Sequence, residues 1–186
     1  MFDAILSFDR SLFLMINNGW ANPFNDVLFG VLTLLGSDYA AIPVAGIFLY
    51  AVDKQNFKRN FILLLSALLM GGILVHLLKE IIDRPRPLSD MAELIEEGSV
   101  SINVIFEPLK VASFPSGHSQ TVFTAALILG YTCRKYIWIL FLIASLSAIS
   151  RIYVGAHYPI DVVAGGIIGV AVSIVMLFIF KRRGYL

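Results

Sequence analysis

Long apolar runs separated by short polar breaks set the plan of this chain. The longest runs from residue 60 to about 82, and three more cover about 119–132, 136–149 and 160–180. Two earlier runs, 24–35 and 39–52, flank the polar turn Gly36-Ser37-Asp38 and fall short of the roughly 20 residues that cross a bilayer as a helix. Counting both gives an all-α integral membrane bundle of about six transmembrane helices in one domain, 1–186. Ahead of them, Ile5, Phe8, Leu12 and Met15 or Ile16 recur at helical spacing, with Asp3, Asp9 and Arg10 elsewhere around the turn. That pattern predicts an interfacial helix over 1–18, broken at Asn17-Asn18-Gly19. Asn22-Pro23 then opens the next helix, because proline suits a first helical turn.

Composition turns the pattern into a membrane assignment. Apolar residues make up 58% of the chain, charged residues 15%, and mean hydropathy is +0.82. A net charge of +1 provides no concentrated basic face for a nucleic-acid partner. The one cysteine, Cys133, excludes an intramolecular disulfide and reads as a small buried residue near a helix end. No basic stretch followed by a small-residue cleavage site marks a removed signal peptide.

Charge grouping orients the bundle. Lys54, Lys58, Arg59, Arg134, Lys135, Lys181, Arg182 and Arg183 collect at one end, which the positive-inside rule makes cytoplasmic. The other end carries the long polar segment 83–116, with Asp90, Glu93, Glu96, Glu97 and Glu107, expected as an extracytoplasmic loop over the site with a short amphipathic helix over 91–97. If one of the two short runs does not span, the N-terminus changes side while the basic loops still orient the last four helices.

Three clusters of chemistry fall at that outer end. Lys79 is followed by Arg86-Pro87; Pro115-Ser116-Gly117-His118 opens one apolar run; and Ser150-Arg151, His157 and Asp161 lie where one run closes and the next begins. Lys79, Arg86 and Arg151 suit a dianionic group, and arginine forks onto phosphate oxygens. Ser116 caps a helix whose first amides, with Gly117 and His118, form an anion site. Pro159 in a first helical turn sets His157 and Asp161 one turn apart, so the carboxylate orients one imidazole nitrogen and leaves the other to attack. His157 is then the nucleophile, Asp161 its orienting group, and His118 the general acid and later base. No carboxylate cluster remains to hold a metal, so neither metal nor other cofactor is expected.

Lys79-x6-Arg86-Pro87, Pro115-Ser116-Gly117-His118 and Ser150-Arg151-x5-His157-x3-Asp161 resemble the three signature motifs of the type 2 phosphatidic acid phosphatase (PAP2) superfamily, which includes vanadium haloperoxidases and bacterial acid phosphatases. The resemblance implies a PAP2/haloperoxidase-like helical core, a phosphohistidine on His157, and a phosphate pocket from Lys79, Arg86, Ser116, Gly117, His118 and Arg151. The compact chain resembles bacterial members of envelope lipid metabolism. The expected protein is a multi-pass enzyme of the bacterial inner membrane whose site faces the periplasm or cell exterior. Its expected partners are the bilayer and a lipid phosphate: undecaprenyl diphosphate, phosphatidylglycerol phosphate, phosphatidic acid or lipid A 1-phosphate.

Other readings stand beside this one. The same intermediate serves a lipid phosphotransferase, and the cationic pocket alone serves a phospholipid-binding or flipping protein, although binding needs no His118, His157 and Asp161. Oligomeric state is not legible. His76 reads as a packing residue, Arg84 as a partner of Asp83 or a headgroup, and Tyr153 and Tyr158 as members of an interfacial aromatic belt.

Overall fold

A computed structural model describes residues 2–106 and 108–186, with the Phe2 side chain excepted; the acidic residue Glu107 and Met1 lie outside the described residues. Among the described residues the chain forms nine α-helices and no strand: α1 (Phe2–Asn17), α2 (Pro23–Leu34), α3 (Asp38–Val52), α4 (Phe57–Ile82), α5 (Pro87–Asp90), α6 (Ala92–Glu96), α7 (Gly117–Thr132), α8 (Ile137–Tyr153) and α9 (Pro159–Arg182).

Local chemistry sets the breaks. The Asn22 side chain accepts the Asn25 N–H at 2.9 Å, and Pro23 occupies the first turn of α2. Asp83 ends α4 in the left-handed region, with φ of 39°, and Pro85 and Pro87 prevent its continuation. Pro159 opens α9, where the Asp161 carboxylate accepts the Tyr158 N–H at 2.9 Å.

At the centre lies α7, packed against α3, α4, α8 and α9. It buries Ser119, Gln120, Thr121 and Thr124; Ser119 bonds the cap residue Ser116 and Gln120 bonds Thr124 within the helix, while the two threonines find partners on neighbouring helices. Thr121 donates to Asp38 at 3.0 Å, and Thr124 to the Gly169 carbonyl at 3.2 Å. Glycines bring these helices close: a Cβ on Gly169 would lie 2.5 Å from the Gln120 carbonyl oxygen, and one on Gly71 would overlap the Gln120 side chain. Its neighbour Gly72 faces open space. Large apolar side chains point outward along the outer helices, among them Leu69 and Ile73 of α4, Trp138 of α8, and Ile167 and Phe178 of α9. An apolar band on that scale belongs in lipid.

The sequence-based count of six spans does not carry over. By length and composition three stretches are able to cross a membrane, those starting at Phe57, Arg134 and Pro159. Helices α2 and α3 qualify only together, as a pair bent by 72° that would make a fourth. The two runs read as separate spans are each too short alone, and α7, at 16 residues, is short on the same measure.

The predicted N-terminal helix is present, and it lies at the motif end of the bundle. Arg10 of α1 forks onto Asp90 at 3.0 Å for both bonds, and Asn17 donates to the Tyr153 carbonyl at 2.7 Å. Phe13 is fully buried and meets the Tyr158 ring edge-on at 5.4 Å. The long polar segment forms α5 and α6, and its last part returns beside the end of α4, with the Ser113 N–H on the Arg84 carbonyl at 2.8 Å.

Candidate active site

Each cluster read from the sequence sits at a helix end on one side of the bundle. Lys79 is in the last turn of α4 and Arg86 just beyond it; Ser116 caps α7; Arg151 is in the last turn of α8; His157 lies in the connection to α9, and Asp161 in the first turn of α9. The pieces are joined directly. The Ser116 N–H donates to the Asp161 carbonyl at 2.9 Å, and the His157 N–H to the Arg151 carbonyl at 3.1 Å. Ser116 Oγ accepts from the Ser119 amide at 3.4 Å and hydroxyl at 3.1 Å, closing the N-terminus of α7 as its sequence predicts.

The cations are held by carbonyls and one hydroxyl rather than by carboxylates, so their charge stays available. Arg86 is 9% exposed; its Nε donates to the Val111 carbonyl and its Nη1 to the Ala156 carbonyl, both at 2.8 Å. Lys79, half-buried, donates to the Ala112 carbonyl, which a positive φ of 53° at Ala112 turns toward it. Arg151 Nη1 donates to Thr33 of α2 at 2.7 Å, while its Nε is buried without a partner among the described residues. A buried donor left unpaired costs about 1–3 kcal/mol, which a phosphate oxygen accepting from it would return.

His157, 2% exposed, stands between two environments. Its Nε2 is 3.3 Å from Arg86 Nη1, on the cationic side. Its Nδ1 is 3.7 Å from Asp161 Oδ2, within ion-pair range but outside hydrogen-bonding distance. Burial drives the imidazole's basicity down to about 3, and the Arg86 and Arg151 charges add to the effect against the pull of Asp161. The ring is therefore neutral at ordinary pH, the form a nucleophile needs. His118, half-buried in the first turn of α7, feels the charges of Arg151, Arg86 and Lys79. A Cβ on Gly36 would come within 2.9 Å of its ring, so that glycine makes the space His118 occupies.

Asp161 carries more partners than its spacing from His157 implies. Oδ1 accepts from Arg84 Nη1 at 2.6 Å, and Oδ2 accepts from the Ser113 hydroxyl and the Tyr158 N–H. Arg84 is thus in the network, and it contacts no partner at Asp83. Tyr153 and Tyr158 are both fully buried rather than members of an interfacial belt. Tyr153 donates to Asp26 at 2.6 Å and stacks on Phe29, and Tyr158 donates to Asp90 at 2.5 Å. His76 pairs with Glu80 at 3.2 Å on an exposed face of α4, away from the site. Cys133, expected buried, is half-exposed at the end of α7.

Comparison with known proteins settles the family. The family model described as the PAP2 superfamily matches residues 60–185, which include all three clusters. The chain belongs to the PAP2 superfamily. An undecaprenyl-diphosphatase of Sulfolobus acidocaldarius is 32% identical over 173 residues, covering 90% of this chain and 76% of that protein. Among solved structures, Aquifex aeolicus LpxE superposes with a TM-score of 0.73 at 38% identity, over 90% of this chain and 93% of its own. A phosphatidylglycerolphosphate phosphatase of Bacillus subtilis has the same fold, with a TM-score of 0.74 at 22% identity over 96% and 87%. The PAP2 assignment read from the three motifs holds, and the membrane phosphatase fold with it.

Proposed function

We propose that this PAP2 protein is a membrane lipid phosphatase that hydrolyses the terminal phosphate of a lipid phosphate or diphosphate through a phosphohistidine. The observation that carries the reading is His157, whose neutral Nε2 faces Arg86 while Nδ1 faces Asp161. Lys79, Arg86, Arg151 and the amides opening α7 hold the phosphate. His157 Nε2 attacks phosphorus, the bond to the lipid oxygen breaks, and His118 gives that oxygen a proton. His118 then takes a proton from the water that attacks the phosphohistidine, and inorganic phosphate leaves. These residues supply nucleophile, acid and electrostatic clamp without a metal.

An apolar groove supports a lipid substrate. It holds about 320 Å³ between α3 and α8 over α7, and its wall includes Leu35, next to Gly36, and Val122, one turn beyond His118. A hydrocarbon chain lying there would leave its headgroup at the site. Undecaprenyl diphosphate, phosphatidylglycerol phosphate and lipid A 1-phosphate agree with the names of relatives; phosphatidic acid completes the panel. Phosphate release from these four in detergent with EDTA tests the reading: wild type should act on at least one, and His157→Ala on none. Equal activity of the two proteins on every substrate, or loss of wild-type activity with the chelator, would refute it.

Five crossings fit the helices best: α2 with α3 as one bent span, then α4, α7, α8 and α9, with α1 lying across the outer end. In that arrangement the basic residues face the cytoplasm and the site faces the periplasm or exterior of a bacterial inner membrane. A cysteine at Glu93 in a Cys133→Ser background should react with an impermeant thiol reagent in intact cells. Protection there, with labelling only after lysis, would reverse the orientation.

A further inference from the structure

The Asp161 carboxylate leads to a part of the molecule that none of the three motifs contains. Arg84 divides its fork between two carboxylates: Nη1 donates to Asp161 Oδ1 at 2.6 Å and Nη2 to Asp9 Oδ2 at 2.7 Å. Asp9 belongs to α1 and is 1% exposed. Its other oxygen accepts the Ile160 N–H at 2.9 Å, one residue before Asp161. The guanidinium lies over the Tyr158 ring, 4.3 Å from its centre, which fixes the plane of the fork.

Resting on the phosphatase reading above, we infer that Asp9 is a positioning residue for the reaction: by holding one arm of Arg84 it leaves Asp161 oriented and negatively charged toward His157. An arginine fork ordinarily takes both oxygens of one carboxylate. Here Asp9 takes the second arm, and Asp161 Oδ2, bound by the Ser113 hydroxyl and the Tyr158 N–H, keeps its place beside His157 Nδ1. As Nε2 bonds to phosphorus the imidazole gains positive charge, and the Asp161 charge stabilises it. Without Asp9 the fork is free to close on Asp161 and neutralise it.

Docking of α1 has anchors besides this carboxylate. Phe13 and Ile16 anchor the helix in the apolar core, and Arg10, next in sequence, is held independently by Asp90, which also accepts from Tyr158. Asp9→Asn keeps the side chain's size and an acceptor for Ile160, and removes the charge and the acceptor that hold Arg84 Nη2. A buried ion pair is weak evidence for stability, because desolvation offsets much of its attraction.

The test compares full-length wild type, Asp9→Asn, Asp9→Glu and Arg84→Lys in detergent, with a short-chain lipid phosphate as substrate. Functional pockets are counted by titration with vanadate, so that poor folding of a variant does not enter the turnover per site. Asp9→Asn should lower kcat per site about tenfold, in the range usual for loss of an outer partner of a reacting group, with KM changed less than about twofold. Arg84→Lys, which has no fork, should fall in the same direction, and Asp9→Glu should recover at least about half of the wild-type kcat. Unchanged kcat per site in Asp9→Asn, with only the number of pockets reduced, would overturn the inference and leave Asp9 a structural residue. The phosphatase reading fails separately, if the wild type releases no phosphate or His157→Ala matches it.

Discussion

The two sides of the His157 ring are built on opposite plans. On the Nε2 side the charged groups lean on neutral partners: Arg86 on the Val111 and Ala156 carbonyls, Lys79 on the Ala112 carbonyl, Arg151 on the Thr33 hydroxyl. On the Nδ1 side every charge has a counter-charge, from Asp9 through Arg84 to Asp161 and, in parallel, from Arg10 to Asp90. Positive charge kept without a carboxylate partner is what a phosphate dianion requires. A guanidinium shared between two carboxylates holds each rigidly in a buried place, where an isolated ion would be prohibitively costly, and leaves negative charge beside His157. On the proposed mechanism the difference divides the site into a half that meets substrate and a half that aims the nucleophile.

Substitutions on the two sides should therefore fail differently. The largest effect outside His157 itself is expected for His118→Ala, a loss of about a thousandfold in kcat, within the range for a general acid or base. A substrate with a much more acidic leaving group should recover most of the first step, measured as phosphoenzyme formation; equal loss with both leaving groups would remove His118 from the role of acid. A smaller change is expected for Gly36→Ala. Its methyl would meet the His118 ring at 2.9 Å, and displacing that ring should lower kcat about tenfold without disturbing the aiming half. Normal kcat with the alanine in place would show that the position of His118 is less constrained than the contact implies.

How much of this was legible in the sequence follows the same division. The phosphate-facing residues announce themselves because each must be a particular chemical type, and proline, serine and glycine mark the helix ends that place them. Lys79, Arg86, Ser116, Gly117, His118, Arg151, His157 and Asp161 all arrive at one end of the bundle as their spacing implies. The distant groups that support these residues were hidden. Asp9 lies 75 positions from Arg84, and Thr33 lies 118 from Arg151; nothing local to either residue points to its partner. Tyr153 and Tyr158 looked interfacial because an aromatic residue near the end of an apolar run is ambiguous until its hydroxyl partner, Asp26 or Asp90, is known.

The membrane plan shows the same limit. Hydrophobic runs report which segments avoid water and say nothing of a 72° bend between two of them. They also understate α7, whose Thr121 and Thr124 are satisfied by other helices, and Ser119 and Gln120 by bonds within its own cap and turns, instead of by lipid or water. Gly71 and Gly169, where neighbouring helices approach closely, were legible as small residues but not as the particular contacts they make with Gln120.

The central claim is that His157 is the nucleophile, and brief reaction with substrate labelled in its terminal phosphate, followed by denaturing quench and peptide mapping, tests it most directly. The account predicts one acid-labile, base-stable phosphoryl group on His157, absent from His157→Ala and longer-lived when His118 is replaced. Label on any other residue, or rapid phosphate release from the His157→Ala protein, would contradict it.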